Sequence, residues 1–228
     1  MQRLFVVIER LNSILLLLIF LIAGASLAWL SWSSNQRERR GAIELPIGDD
    51  SSKAQVLLRF DRVESINGVD TQMMRLTADS ESAKFSSGGG YGGETRNVLF
   101  LTGKEKTARW LFPNQKNLIL AAAQLKEEST DEKDSPTKAL YFEYVRDDTD
   151  GDGKLSVQDN SNIGLTRSDG TAFVEVLRGV TRVLSYDMLD SRDLSVVYQL
   201  GKTVRHAGFS LNSLAKETDQ EVVTVPEE

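Results

Sequence analysis

Residues 139–166 read ALYFEYV, then RDDTDGDGKLSVQDNS, then NIGLT: an apolar run, a polar loop and a second apolar run. In Phe142-Glu-Tyr-Val145 charged and apolar residues trade places, the period-two pattern of a half-buried strand. The stretch predicts two strands joined by a long acidic turn. The same texture extends in both directions. Apolar runs recur at 55–63, 71–78, 97–102, 107–112 and 117–125 before it, and at 172–177, 181–188, 194–199 and 203–211 after it. Asn67-Gly68, Gly103-Lys104, Asp169-Gly170 and Gly201-Lys202 sit between runs, where hairpin turns want positive φ. Beyond the first forty residues no stretch carries a long 3.6-residue period. Only 117–128 offers a short helix as an alternative, because Ala121–Ala123 is weak strand material. Many short strands at close spacing predict an all-β domain: an antiparallel sheet or a small propeller-like meander.

Composition narrows the function classes. The chain has 228 residues, no Cys, one His, and 27 Lys+Arg against 33 Asp+Glu, a net charge of −6. Without cysteine there is no disulfide framework, thiolate metal site or Cys nucleophile. A single histidine excludes a multi-His metal centre. The acidic balance, with a pI near 5.0, argues against a nucleic-acid partner.

The first forty residues are a different material. No charged side chain occurs from Leu11 to Gln36, and Ile14–Leu30 reads ILLLLIFLIAGASLAWL. A helix needs about 20 apolar residues to cross the hydrocarbon layer, and helix is the form that satisfies a single span's backbone there. Trp29 and Trp32 fall at its end, where indoles favour the interface; Arg3 and Arg10 flank one side, Arg37, Arg39 and Arg40 the other. The expectation is one N-terminal transmembrane helix within residues 1–40, contacting the bilayer through 11–34. Cleavage near Ala23-Gly24-Ala25, as in a signal peptide, is the alternative. Residues 1–40 carry five basic and two acidic side chains, so 41–228 hold 22 basic and 31 acidic. The acidic part is expected outside the cytoplasm: the periplasm, if the source is Gram-negative. A linker (41–53), a β domain (54–214) and a flexible acidic tail (215–228) complete the expected organisation.

Residues 148–159, DTDGDGKLSVQD, carry the most specific pattern. They resemble the calcium loop of EF-hand and dockerin type, with oxygen ligands at positions 1, 3, 5, 7, 9 and 12 and Gly at 6. The resemblance assigns Asp148, Asp150, Asp152, Lys154 (through its carbonyl), Ser156 and Asp159 as ligands, with Gly153 at the reversal. Asp159 stands where an EF-hand usually has Glu, as dockerin-like loops do. Three carboxylates at alternate positions converge only if the chain turns sharply, and packed together they repel unless a cation sits among them. The expected cofactor is Ca²⁺ in a structural role, because a loop flanked by strands lacks the opening helix pair of a sensor.

Three segments share one plan of strand, Gly turn and strand: NVLFLTGKEKTARWLF (97–112), NIGLTRSDGTAFVEVL (162–177) and LSVVYQLGKTVRHAGFSL (194–211). They resemble the inner hairpin of bacterial propellers of the Tol and peptidase types, and Arg167-Ser-Asp-Gly-Thr171 is similar to their Asp-Gly turn. Phe5-Val-Val-Ile-Glu9 resembles the opening of type IV pilins and pseudopilins, although Leu4 stands where their processing site has Gly. Other features read as structural. Gly88–Gly93 is a loop with no strand–helix context for phosphate binding, Lys126–Asp134 a solvated acidic loop, Trp110 a core residue and His206 a surface or packing residue. The functional expectation is a binding or scaffold subunit of an envelope complex with a protein partner. A carboxylate hydrolase using acids such as Glu143 and Asp187, and a pseudopilin-like filament subunit, are the alternatives.

Overall fold

The computed structural model describes residues 42–44, 57–79, 93–126, 135–190 and 192–226. The expected membrane helix, the rest of the linker, residues 80–92 with all but Gly93 of the glycine-rich stretch, and residues 127–134 lie outside the described residues. The chain falls into two compact units, Met1–Ile43 and Glu44–Glu228, and the second holds the β domain.

Every regular element among the described residues is a strand: β1 (Ala42–Glu44), β2 (Leu57–Phe60), β3 (Glu64–Ser65), β4 (Thr71–Asp79), β5 (Gly93–Thr102), β6 (Thr107–Trp110), β7 (Leu118–Lys126), β8 (Thr137–Val145), β9 (Ser161–Arg167), β10 (Val174–Val180), β11 (Arg182–Met188), β12 (Asp193–Leu200), β13 (Thr203–Ser210) and β14 (Ala215–Thr224). The larger sheet runs β2-β4-β5-β7-β8-β9-β10, with β3 against β4 and β6 against β5; β11 to β14 form a separate up-and-down sheet. The pairs are antiparallel. The all-β, antiparallel expectation therefore holds, and each of the three repeated segments is a hairpin: β5–β6, β9–β10 and β12–β13.

Alternation sorts the side chains into cores. From β8, Leu140, Phe142 and Tyr144 pack with Val98, Phe100, Phe112 and Ile119. The opposite face of β8 sends Ala139 and Tyr141 into a core shared with Leu194, Val196, Ala207 and Phe209 of the small sheet. A strand covered on both faces needs apolar residues at nearly every position, which is why ALYFEYV breaks its alternation.

One alternative falls and two sequence expectations change. Of the stretch 117–128, the described part, 117–126, holds strand β7 and no helix: Ala121, Ala122 and Ala123 pair with Glu143, Phe142 and Tyr141 of β8. Cross-strand pairing with β8's large side chains outweighs alanine's weak strand preference. Ala215–Thr224 of the expected flexible tail is strand β14, paired to β13 from Ser210↔Ala215 to Thr203↔Thr224. Asp219 fastens it, accepting from Tyr198 Oη (3.0 Å), Arg205 Nε (2.9 Å) and Lys216 Nζ (2.7 Å). Trp110, expected in the core, is 38% exposed on the rim strand β6, stacked on Phe60 at 6.0 Å.

Two local features depart from this regular pattern. Gly170 has φ +75°, and a Cβ built there would lie 2.7 Å from the Phe100 ring. The Arg109 guanidinium sits over that ring at 5.1 Å and donates to the Asp169 carbonyl at 3.3 Å. The second feature is a seam. β4 and β5 pair from Thr71↔Thr102 to Asp79↔Gly93, whereas β5 and β7 share one pair, Thr95↔Ile119. A shallow cavity of about 320 Å³ opens there beside Arg75. Side chains cross the seam where the ladder does not: Ile119 packs with Val98 and Phe100.

Candidate metal centre

β8 and β9 pair up to Tyr144↔Asn162, and the loop 146–160 closes that hairpin. Within it, Asp148, Asp150 and Asp152 bring carboxylate oxygens within 4.8 Å of one another, all three exposed. Three oxygen donors of hard character at this spacing could hold a metal ion. Gly151 and Gly153 both have positive φ, +79° and +82°, so the reversal uses two glycines where the motif alone required one.

Backbone amides orient each side chain. Asp148 accepts from Gly151 N through Oδ1 and from Gly153 N through Oδ2, each at 2.7 Å. Asp150 Oδ1 accepts from Asp152 N (3.1 Å), Asp152 Oδ1 from Lys154 N (2.8 Å) and Ser156 Oγ from Gln158 N (3.0 Å). These are short side-chain-to-backbone turns of the kind Asp and Ser favour. The Asp152 amide draws the Asp150 carboxyl pKa down. Lost hydration and the Asp152, Asp159 and Asp148 carboxyls push it up, and they prevail. A cation would relieve that crowding.

Asp159 is placed differently. It is 2% exposed and belongs to the loop's framework. Its Oδ1 accepts from the Thr149 amide, the Thr149 hydroxyl (3.2 Å) and the Asp150 amide (3.3 Å), and its Oδ2 from Ser156 N (2.8 Å). Donation from the Thr149 and Ser156 amides holds this carboxyl below the usual range. The structure thus gathers Asp148, Asp150 and Asp152 and assigns Asp159 to tying the two ends of the loop. The Lys154 side chain is exposed and Ser156 half-buried.

Two supports were invisible in the sequence. Thr149 Oγ1 accepts from Asn160 N at 2.8 Å, latching the first turn to the last. At the loop's base, Glu175 of β10 accepts from Tyr144 Oη, Arg146 Nη2 and Arg178 Nε. Burial raises the Glu175 carboxyl, but the Tyr144 hydroxyl and the two guanidiniums lower it further, and the net shift is downward. Glu175 lies about thirty residues beyond Arg146, and VEVLR carries no local sign of the pairing.

The other candidates do not converge. Glu143 is half-buried on β8; burial raises its pKa, against a 2.9 Å hydrogen bond from Ser161 Oγ. Asp187 is exposed on β11, in the other sheet, and no hydrogen bond joins the two carboxyls among the described residues. His206 Nε2 lies 2.9 Å from Ser195 Oγ across β12–β13, and Asp187 is directly opposite Ser195 across β11–β12. Strand order therefore puts the serine between acid and imidazole. A triad needs the acid on the far ring nitrogen, orienting the histidine.

No family model and no curated protein matches the chain. Among solved structures a luciferin-regenerating enzyme is similar at 9% identity and a TM-score of 0.39, over 76% of this chain and 51% of that one. The chain thus spans about half the length of that structure. A likeness so distant assigns neither family nor activity.

Proposed function

We propose that the chain is a membrane-anchored, extracytoplasmic β module that holds one Ca²⁺ in the loop 148–159 and serves as a binding or scaffold subunit of an envelope complex. The observation that carries the reading is the convergence of Asp148, Asp150 and Asp152 within 4.8 Å in a loop whose carboxylates are already oriented. A cage rich in oxygen favours calcium over magnesium, which keeps several waters and demands tighter geometry. The EF-hand or dockerin-like reading supplies the remaining ligands, the Lys154 carbonyl, Ser156 and Asp159, whose carboxylate also orders the Thr149 and Ser156 amides. The anchor is residues 11–34, with the short tail before it inside and the acidic remainder, 22 basic against 31 acidic side chains, outside the cytoplasm. The up-and-down sheet β11–β14 has the strand count of one propeller blade, which supports the propeller-like reading of that part.

The test is calorimetric titration of Ca²⁺ into the full chain in detergent, with melting measured in calcium and in chelator. One site per chain, abolished by Asp148→Ala, with a rise in Tm set by mass action, is the expected result. No heat and no Tm shift sink the calcium reading.

A further inference from the structure

On the face of β8 turned toward the small sheet, two neighbouring polar groups lack the partners that burial demands. Tyr141 is fully buried, and its hydroxyl has no hydrogen-bond partner among the described residues. Glu143 lies two residues on, and so on the same face of the strand. It is half-buried and forms no ion pair among the described residues; the one hydrogen bond it accepts from them comes from Ser161 Oγ at 2.9 Å. An unpaired buried hydroxyl and a half-buried carboxylate without a cation each cost stability. Two such groups side by side call for a common explanation.

Their surroundings supply space and an aromatic wall. Ala121 and Ala123 of β7 stand opposite Glu143 and Tyr141, so that side carries only methyl groups. Tyr186 of β11 lies over the Tyr141 ring, with centroids 4.3 Å apart and planes at 14°. β11 is the outer strand of its sheet, and Tyr186 is 36% exposed. The Tyr186 ring is therefore the wall on the solvent side. Burial raises the Tyr141 pKa most, and Glu143 and Tyr186 raise it further, so both lie within electrostatic reach of its hydroxyl.

The chemistry of these groups narrows the ligand. A carboxylate without a counter-charge selects a cation, and tyrosine faces attract cations. One carboxylate and two neutral hydroxyls are too few hard oxygens for Ca²⁺, which takes about six to eight. An ammonium group is a donor only and carries three N–H, enough for the Glu143 carboxylate and both phenolic oxygens.

We propose that Glu143, Tyr141 and Tyr186 form a binding site for a primary ammonium group, free in a small amine or carried on a lysine of a partner, which enters as the Tyr186 ring turns outward. The site uses none of the acidic loop's carboxylates, so it stands apart from the calcium reading.

The test uses the full chain in detergent, with isotope-labelled tyrosine rings, in amine-free buffer with chelator at neutral pH. n-Butylamine should shift the Tyr141 and Tyr186 ring signals in NMR, and n-butanol should not. Glu143→Gln should weaken binding by about tenfold or more, and Tyr141→Phe by about tenfold. Tyr141→Phe should also leave Tm unchanged or higher, because it deletes an unpaired hydroxyl. Weaker binding in a fold at least as stable separates a ligand contact from a structural role. Tighter binding of spermidine than of the peptide Ac-GKG-NH2 assigns a free amine; the reverse assigns a partner's lysine. No shift with butylamine, equal shifts with butanol, or affinity unchanged in both variants overturns the proposal. Displacement of butylamine by Ca²⁺, once the chelator is removed, also overturns it, because the occupant is then the metal. Failure here with one Ca²⁺ still bound in calorimetry removes the amine site alone.

Discussion

Gly170→Ala tests the reasoning about the Asp169-Gly170 turn most sharply. Two costs arise from one methyl group. At φ +75° an alanine sits in the left-handed region, which costs about 1–2 kcal/mol. Its Cβ would also meet the Phe100 ring at 2.7–2.8 Å, where carbon atoms prefer about 3.5–4.0 Å. Phe100 is fully buried, with the Arg109 guanidinium over its ring, so it has little room to retreat. Overpacking of that kind costs about 1–3 kcal/mol, and the two together about 2–5 kcal/mol. For a domain of this size each kcal/mol lowers Tm by about 2–4 °C. Urea unfolding followed by tryptophan fluorescence measures the loss. The same substitution in a Phe100→Leu background separates the costs: the steric part should shrink and the backbone part remain. A coupling energy of about 1–3 kcal/mol is expected. Equal losses in both backgrounds, or a loss of Gly170→Ala within about 0.5 kcal/mol of zero, would refute the packing argument.

Four further outcomes are expected. Gly164→Ala should destabilise by about 1–3 kcal/mol, since its Cβ would lie 2.4 Å from Phe173; Phe173→Leu should restore part of the loss. Glu175 has a lowered pKa in the fold, so it stabilises above the unfolded value near about 4.3 and that contribution fades as pH falls through the folded value; Glu175→Gln should flatten the acid limb of a stability–pH curve. Glu143 has the opposite sign: its stability contribution falls as pH rises from the unfolded value through the folded one, and Glu143→Gln should remove that fall. Asp159→Ala strands the Thr149 and Ser156 amides, so exchange at residues 149–156 should quicken and cation affinity should drop more than in Asp159→Asn.

What was legible in the sequence was whatever rests on local pattern. Alternating runs gave the strands, and Gly68, Gly103, Gly170 and Gly201 each take the positive φ that their turns predicted. The three Asp of the loop were legible because their spacing alone sets their convergence. What stayed hidden depends on partners distant in sequence. The choice of strand over helix at Ala121–Ala123 is settled by β8 alongside it, and β14 is a strand because β13 pairs with it and Arg205 and Tyr198 reach Asp219. The role of Asp159 was masked differently. Its position in the motif named a ligand and gave no sign that its side chain also serves amides at both ends of the loop.

The seam between β5 and β7 has a consequence for how the molecule yields. On either side, strands are held by long ladders; across it there is one paired position, a layer of apolar side chains and a few side-chain hydrogen bonds, such as Gln124 Nε2 to the Ser65 carbonyl at 3.0 Å. Apolar association weakens on cooling. Chilling therefore loosens this joint while the ladders beside it hold. Pulling at right angles to the strands parts the sheet there first, like a board splitting along a glue line and sparing the grain.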